Sequence, residues 1–156
     1  FSGERTPIHD TNAKGVFFGL NLTHTRGDMY RALLEGIAHG SRHVTDTFAE
    51  LGQSPTRLLA VGGGTKNKLW LQATSDITGI DQIVCEKTTG ASYGDAFLAA
   101  LALGWVERSD ISSWNPVAQS VAANSNETLE AAHLLFRRLY EQTKDIAAEL
   151  GHAPDA

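Results

Sequence analysis

An α/β fold, with helices packed over a sheet, is what the sequence predicts, and three observations carry the prediction. Short apolar runs such as "TRLLAVG" (56–62) and "DQIVCEK" (81–87) alternate with longer stretches of helical periodicity. Glycine closes most of the periodic stretches, as expected where a helix must stop. The length, 156 residues, suits one domain.

Taken in order, residues 1–15, "FSGERTPIHDTNAKG", are rich in Gly, Pro, Asp and Asn and read as loop. "VFFGLNL" (16–22), bounded by Gly15 and the polar "THTRGD", reads as a short strand. From Asp28 onward, Tyr30, Leu33, Leu34, Ile37, Val44, Phe48 and Leu51 recur at helical spacing with the small Ser41 among them. Asp28 sits where an N-cap is needed and Gly52 where the helix must stop. "TRLLAVG" is a buried-type strand. Asn67 to about Thr78 forms the next helix, with Leu69, Trp70, Ala73 and Ile77 on one face and Gly79 at its end. "DQIVCEK" is another strand, and Gly94 to Leu103 an Ala- and Leu-rich helix stopped by Gly104. Residues 110–126 are polar, carry Pro116, and are expected to be irregular. Glu127 to about Leu150 is a long amphipathic helix, with Leu129, Ala132, Leu135, Phe136, Leu139, Tyr140, Ile146 and Leu150 along it. Gly151 ends it, and residues 152–156 are expected to be a disordered tail.

Composition removes several functional classes. A net charge of -5, with only 13 scattered Lys and Arg, argues against a nucleic-acid surface. No apolar run approaches the roughly 18 residues of a membrane span, and no basic-then-apolar signal opens the chain. The single Cys85 rules out an internal disulfide framework and fits a reducing compartment, so the expected location is cytoplasmic. The chain opens on Phe1 in what reads as the middle of a loop, so the sequence is expected to be a piece of a longer protein.

The stretch "LLAVGGGTKNKLW" (58–70) carries the most chemistry. A strand, then Gly62-Gly63-Gly64, then a helix is the order a nucleotide-facing turn requires, because backbone N–H groups at a helix N-terminus suit anions and missing Cβ atoms let a ligand approach. The phosphate-binding signatures nevertheless fail. A G-x-G-x-x-G pattern needs glycine where Asn67 stands, and no G-x-x-x-x-G-K-[ST] is present. A tight strand-to-helix turn without any ligand accounts for the local pattern equally well. Gly90-Ala91-Ser92-Tyr93-Gly94 fits a G-x-S-x-G nucleophile elbow, which would recruit Asp110 and His133 or His152. Against it, Thr88 and Thr89 separate the elbow from the strand, and no HGGG-type segment precedes it. His39 and His43, spaced i, i+4, suit a metal clamp but lack the Glu of H-E-x-x-H, so ordinary helix-face imidazoles are the expectation. Trp70, Trp105 and Trp114 are expected to pack rather than to serve as stacking platforms.

Four of these segments, in order, resemble the C-terminal domain of the FGGY carbohydrate kinases, the group that contains xylulokinase, ribulokinase and glycerol kinase. They are "FSGERTP", "AKGVFFGLNLTHTRGDMYRALLEGIAHGSRHV" with its G-x-x-x-G-L, "VGGGTKNKLWLQATSDITG", and "GASYGDAFLAALALG". The resemblance runs from residue 1 to about 150. It implies an actin-like, ribonuclease-H-type fold with a mixed sheet flanked by helices, residues 1–151 being the nucleotide-binding lobe of a larger two-lobed kinase. It also implies that Gly62, Gly63 and Gly64 lie against the adenosine of ATP, that Asn67 reaches the base, and that Glu4 and Arg5 border the cleft between lobes. Tyr93 and Asp95 around Gly94 depart from the family's commoner Leu-Gly-Ala-Ala.

The function so implied is transfer of the ATP γ-phosphate to a sugar or polyol hydroxyl. The family's catalytic aspartate, in a G-D-N/Q segment, and its Gly-Thr phosphate turn have no match here. Catalytic and metal-ligating residues are therefore expected to be none in this chain, with Mg2+ held through the phosphates and the N-terminal lobe. Expected partners are the sugar, that lobe and, by resemblance, a second copy in a homodimer. Two other readings stand beside this one: a nucleotide-binding module without catalysis, and a serine hydrolase built on Ser92.

Overall fold

The computed structural model describes residues 3–152. Five helices and three strands follow one another as α1 (Arg26–Glu50), β1 (Leu58–Ala60), α2 (Lys68–Thr78), β2 (Gln82–Cys85), α3 (Ala91–Ala102), the one-turn α4 (Ile111–Trp114), β3 (Val117–Val121) and α5 (Glu127–His152). The strands form one mixed sheet in the order β1-β2-β3. β1 runs parallel to β2, with Leu59 opposite Ile83, and β3 lies antiparallel, with Gln82 opposite Val121.

α2 holds the domain together because it is apolar on two sides. Ala73 and Ile77 pack with Ala38 of α1 and Leu129 of α5. Leu71 packs with Val84 and Val121 and against Ala60, on the sheet. Fully burying a side chain such as Ile77 stabilises by about 1.5–3 kcal/mol. A buried polar chain stitches the same layers. Gln82 Nε2 donates to the Leu71 carbonyl and to Ser75 Oγ, and Ser75 Oγ donates to the Val121 carbonyl at 3.0 Å. Satisfying these groups with one another removes the penalty of burying them.

Several boundaries differ from expectation. α1 starts at Arg26 because Thr25, not Asp28, is its cap: Thr25 Oγ1 accepts the Asp28 N–H while the Asp28 carboxylate accepts the Thr25 N–H at 2.8 Å. The Thr25 N–H and then the Thr25 hydroxyl, both donating to the Asp28 carboxylate at 2.8 Å, hold its carboxyl below its usual range. Residues 16–22 form no strand. A strand needs a neighbour for its backbone groups, and among the described residues none pairs with this one. Its Val16, Phe17, Phe18, Leu20 and Leu22 are all exposed.

α3 begins at Ala91 and absorbs Ser92 and Gly94. The segment expected to be irregular contains α4 and β3, the latter drawn into the sheet by its ladder to β2. The last helix continues through Gly151 to His152. The tail expected beyond it lies outside the described residues. The N-terminal loop is pinned at two levels: Glu4 and Asp10 exchange backbone hydrogen bonds at 2.6 and 2.7 Å, and Tyr140 of α5 donates to the Asp10 carboxylate at 2.9 Å.

Candidate functional site

Because β1 and β2 are parallel, their carboxyl ends lie at the same edge of the sheet, which is where open α/β sheets hold ligands. The loops leaving the two strands meet there: the Gly62 N–H donates to the Thr88 carbonyl at 2.7 Å. Gly62 leads into a single 3-10 turn, Gly63–Lys66, and Asn67 then caps α2.

The three glycines differ in what the fold asks of them. Gly62 has φ 84° and ψ -172°, a conformation essentially closed to residues with a Cβ. At Gly64 a Cβ would lie 2.8 Å from Trp70 Cζ3 and 3.1 Å from Cε3, so the indole ring fills that space from below. At Gly63 a Cβ would meet nothing within 4 Å and φ is not positive, so neither conformation nor packing asks for glycine.

Asn67 is fixed twice. Its Oδ1 accepts the Trp70 N–H at 3.2 Å, as an N-cap does, and its Nδ2 donates to the Tyr30 hydroxyl of α1 at 2.8 Å. Tyr30 and Trp70 were legible only as members of apolar helix faces. No local signal joins Tyr30 to a residue 37 positions later, and the contact follows from the packing of α1 against α2.

The other sequence candidates are dispersed. Ser92 is exposed in the first turn of α3, whereas His133 is buried in α5 and engaged elsewhere. Its Nε2 lies 3.0 Å from Asp46 Oδ2 and its Nδ1 3.3 Å from Nδ1 of His39, so no ring nitrogen is left for Ser92. Asp110 Oδ2 accepts the Glu107 N–H. His39 thus turns into the α1–α5 interface, stacked on His133 and Phe136, rather than pairing with His43. Burial, and then the neighbouring His133, push His39 down to about 4. Among the described residues no group of three His, Cys, Asp or Glu side chains is arranged to hold a metal ion. Trp114 packs on Tyr93 and Phe97, while Trp105, expected to pack as well, is 77% exposed. Glu4 spends its carboxylate on the Thr6 N–H, and Arg5 is exposed beside it. No described helix is long and apolar enough to cross a membrane.

The chain is similar to proteins of known family. Residues 1–103 match the model of the C-terminal domain of the FGGY family of carbohydrate kinases. Xylulose kinase of Bacillus subtilis (strain 168) is 32% identical over 152 residues, which cover 95% of this chain and 30% of that protein. Glycerol kinase of Clostridium beijerinckii is 36% identical over 129 residues, covering 81% of this chain and 26% of the relative. Plasmodium falciparum glycerol kinase, solved with ADP, superposes with a TM-score of 0.78 at 26% identity, over 92% of this chain and 29% of that one. The chain spans roughly a third or less of each of these relatives. Its α/β fold is that of the actin-like sugar kinases, and the chain belongs to the FGGY family of carbohydrate kinases, within the C-terminal domain.

Proposed function

We propose that this chain is the adenosine-holding lobe of an ATP-dependent kinase that phosphorylates a hydroxyl of a pentulose or polyol in the cytoplasm. The observation that carries the reading is Gly63. It lies at the carboxyl edge of the parallel strands, next to the N-terminus of α2, and the folded chain gives no reason of its own for the missing Cβ. A flat ligand resting on the backbone supplies that reason. Family membership narrows the ligand to a nucleotide, and a structural neighbour was solved with ADP.

In this reading Gly62, Gly63 and Gly64 form a shelf under the adenosine, and Asn67 offers its carboxamide to the base. ATP supplies the transferable phosphoryl group. The chain's own residues bind and orient the nucleoside end. By the family resemblance, Mg2+ rides on the phosphates and on the remainder of the kinase. The base that activates the sugar hydroxyl and most sugar contacts also belong to that remainder, the N-terminal lobe. The exposed run Val16, Phe17, Phe18, Leu20 and Leu22 supports such a partner, since a contiguous set of large apolar side chains is normally covered. Closure of the two lobes would exclude water from the phosphates.

The test is ADP release by the intact kinase across xylulose, ribulose, glycerol and related acceptors. ATP consumption that depends on one of them is the expected result. Acceptor-independent hydrolysis alone would refute the sugar-kinase reading, and no ATP consumption at all would leave the non-catalytic module in its place.

A further inference from the structure

The Asn67 carboxamide has two N–H donors and two acceptor lone pairs. Among the described residues one of each is used, the donor by Tyr30 Oη at 2.8 Å and the acceptor by the Trp70 N–H at 3.2 Å. The two bonds oppose each other across the amide, so its flip is determined: oxygen toward the first turn of α2, nitrogen toward α1. The α1 end of this clamp is rigid, because Tyr30 lies one turn from the Thr25–Asp28 capping box. Tyr30 is also half exposed, at 53%, so its ring does little for the core, and its hydroxyl stands at the site edge.

What remains on Asn67 is one N–H and one lone pair. Adenine presents an acceptor, N7, beside an amino donor at N6, and matches that remainder. Guanine presents two acceptors, N7 and O6, and would need both N–H groups of the amide. One of those is already taken by Tyr30.

We propose that Tyr30 is a positioning and specificity residue of the nucleotide site, holding the Asn67 carboxamide in the one arrangement that favours adenine over guanine. This rests on the adenosine reading of the glycine turn.

The experiment uses the intact kinase with Tyr30→Phe, Asn67→Ser and the double variant, measuring kcat and KM for ATP, GTP and the sugar. Phenylalanine keeps the ring, and serine keeps an N-cap for α2 while removing the carboxamide. One neutral hydrogen bond contributes about 0.5–1.5 kcal/mol, so Tyr30→Phe is expected to raise the ATP KM about 2- to 13-fold. It should also lower the ATP-to-GTP ratio of kcat/KM, leave kcat with ATP and the sugar KM unchanged, and add nothing to Asn67→Ser. An unchanged ATP-to-GTP ratio, or a Tyr30→Phe effect that persists in the Asn67→Ser background, would overturn the inference. If Asn67→Ser raises the ATP KM and Tyr30→Phe does not, the inference alone fails. If Asn67→Ser leaves the ATP KM where it was, the base-contact reading on which the inference rests fails with it.

Discussion

Adding a single methyl group at each of positions 62, 63 and 64 separates what the fold requires from what a ligand requires. At Gly64 the new Cβ would stand 2.8 Å from the Trp70 ring, well inside van der Waals contact. The indole would have to shift to make room, so Gly64→Ala is expected to cost about 1–3 kcal/mol of stability. At Gly62 the backbone conformation itself excludes a Cβ, and Gly62→Ala is expected to cost a similar amount, about 1–3 kcal/mol. Gly63→Ala meets no atom and no forbidden φ, so stability should stay within about 0.5 kcal/mol of the parent. In the proposed adenosine reading its methyl group would instead point into the nucleoside. If that overlap costs about 1–3 kcal/mol, as overpacking does, the ATP KM should rise roughly 5- to 150-fold with the sugar KM unchanged. Thermal unfolding of the intact kinase, with steady-state kinetics on both substrates, reads the two effects independently. A Gly63→Ala enzyme with a normal ATP KM, or one destabilised as much as Gly64→Ala, would refute the assignment of the shelf.

Acid should loosen the α1–α5 interface. His39 is held neutral by burial, with a folded pKa of about 4 against about 6.5 unfolded, so its contribution is complete above pH 6.5 and is lost as the pH falls from 6.5 toward 4. The loss is at most about 3 kcal/mol, and His39→Phe, which keeps the stack on Phe136, should flatten the urea midpoint over that range. A pH profile identical to the parent's would contradict the role given to burial. In the layer below, Gln82→Leu should lower stability by about 1–3 kcal/mol, measured by denaturant titration, because Ser75 loses a buried partner between α2 and the sheet. An unchanged midpoint would mean that the polar chain contributes no net stability.

The parts of the fold that local chemistry controls were legible in the sequence. α2 is the plainest case: the Asn67 cap, the helical spacing of its apolar residues and the left-handed Gly79 at its end are all short-range features, and the helix lies where they put it. α3 shows the limit of the same reasoning. Gly90 and Gly94 looked like a strained elbow, but an Ala-rich run tolerates Gly94 inside a helix that starts at Ala91. Strands fared worse because a strand is completed by its partner. Val117–Val121 has little to mark it and is a strand because β2 lies beside it, whereas residues 16–22 have every mark of one and stay unpaired among the described residues.

By itself, then, the sequence determined the α/β class, the helix periodicities, the glycine turn as the place of interest and the kinship with sugar kinases. Those depend on residue type and spacing along the chain. Only the tertiary structure decided which of the three glycines the fold itself requires, on what the Asn67 carboxamide is spent, and that His39 faces His133 rather than His43. Each of these turns on contacts that close when α1, α2 and α5 pack against one another, and a hydrogen bond between positions 30 and 67 leaves no period in a sequence to be read.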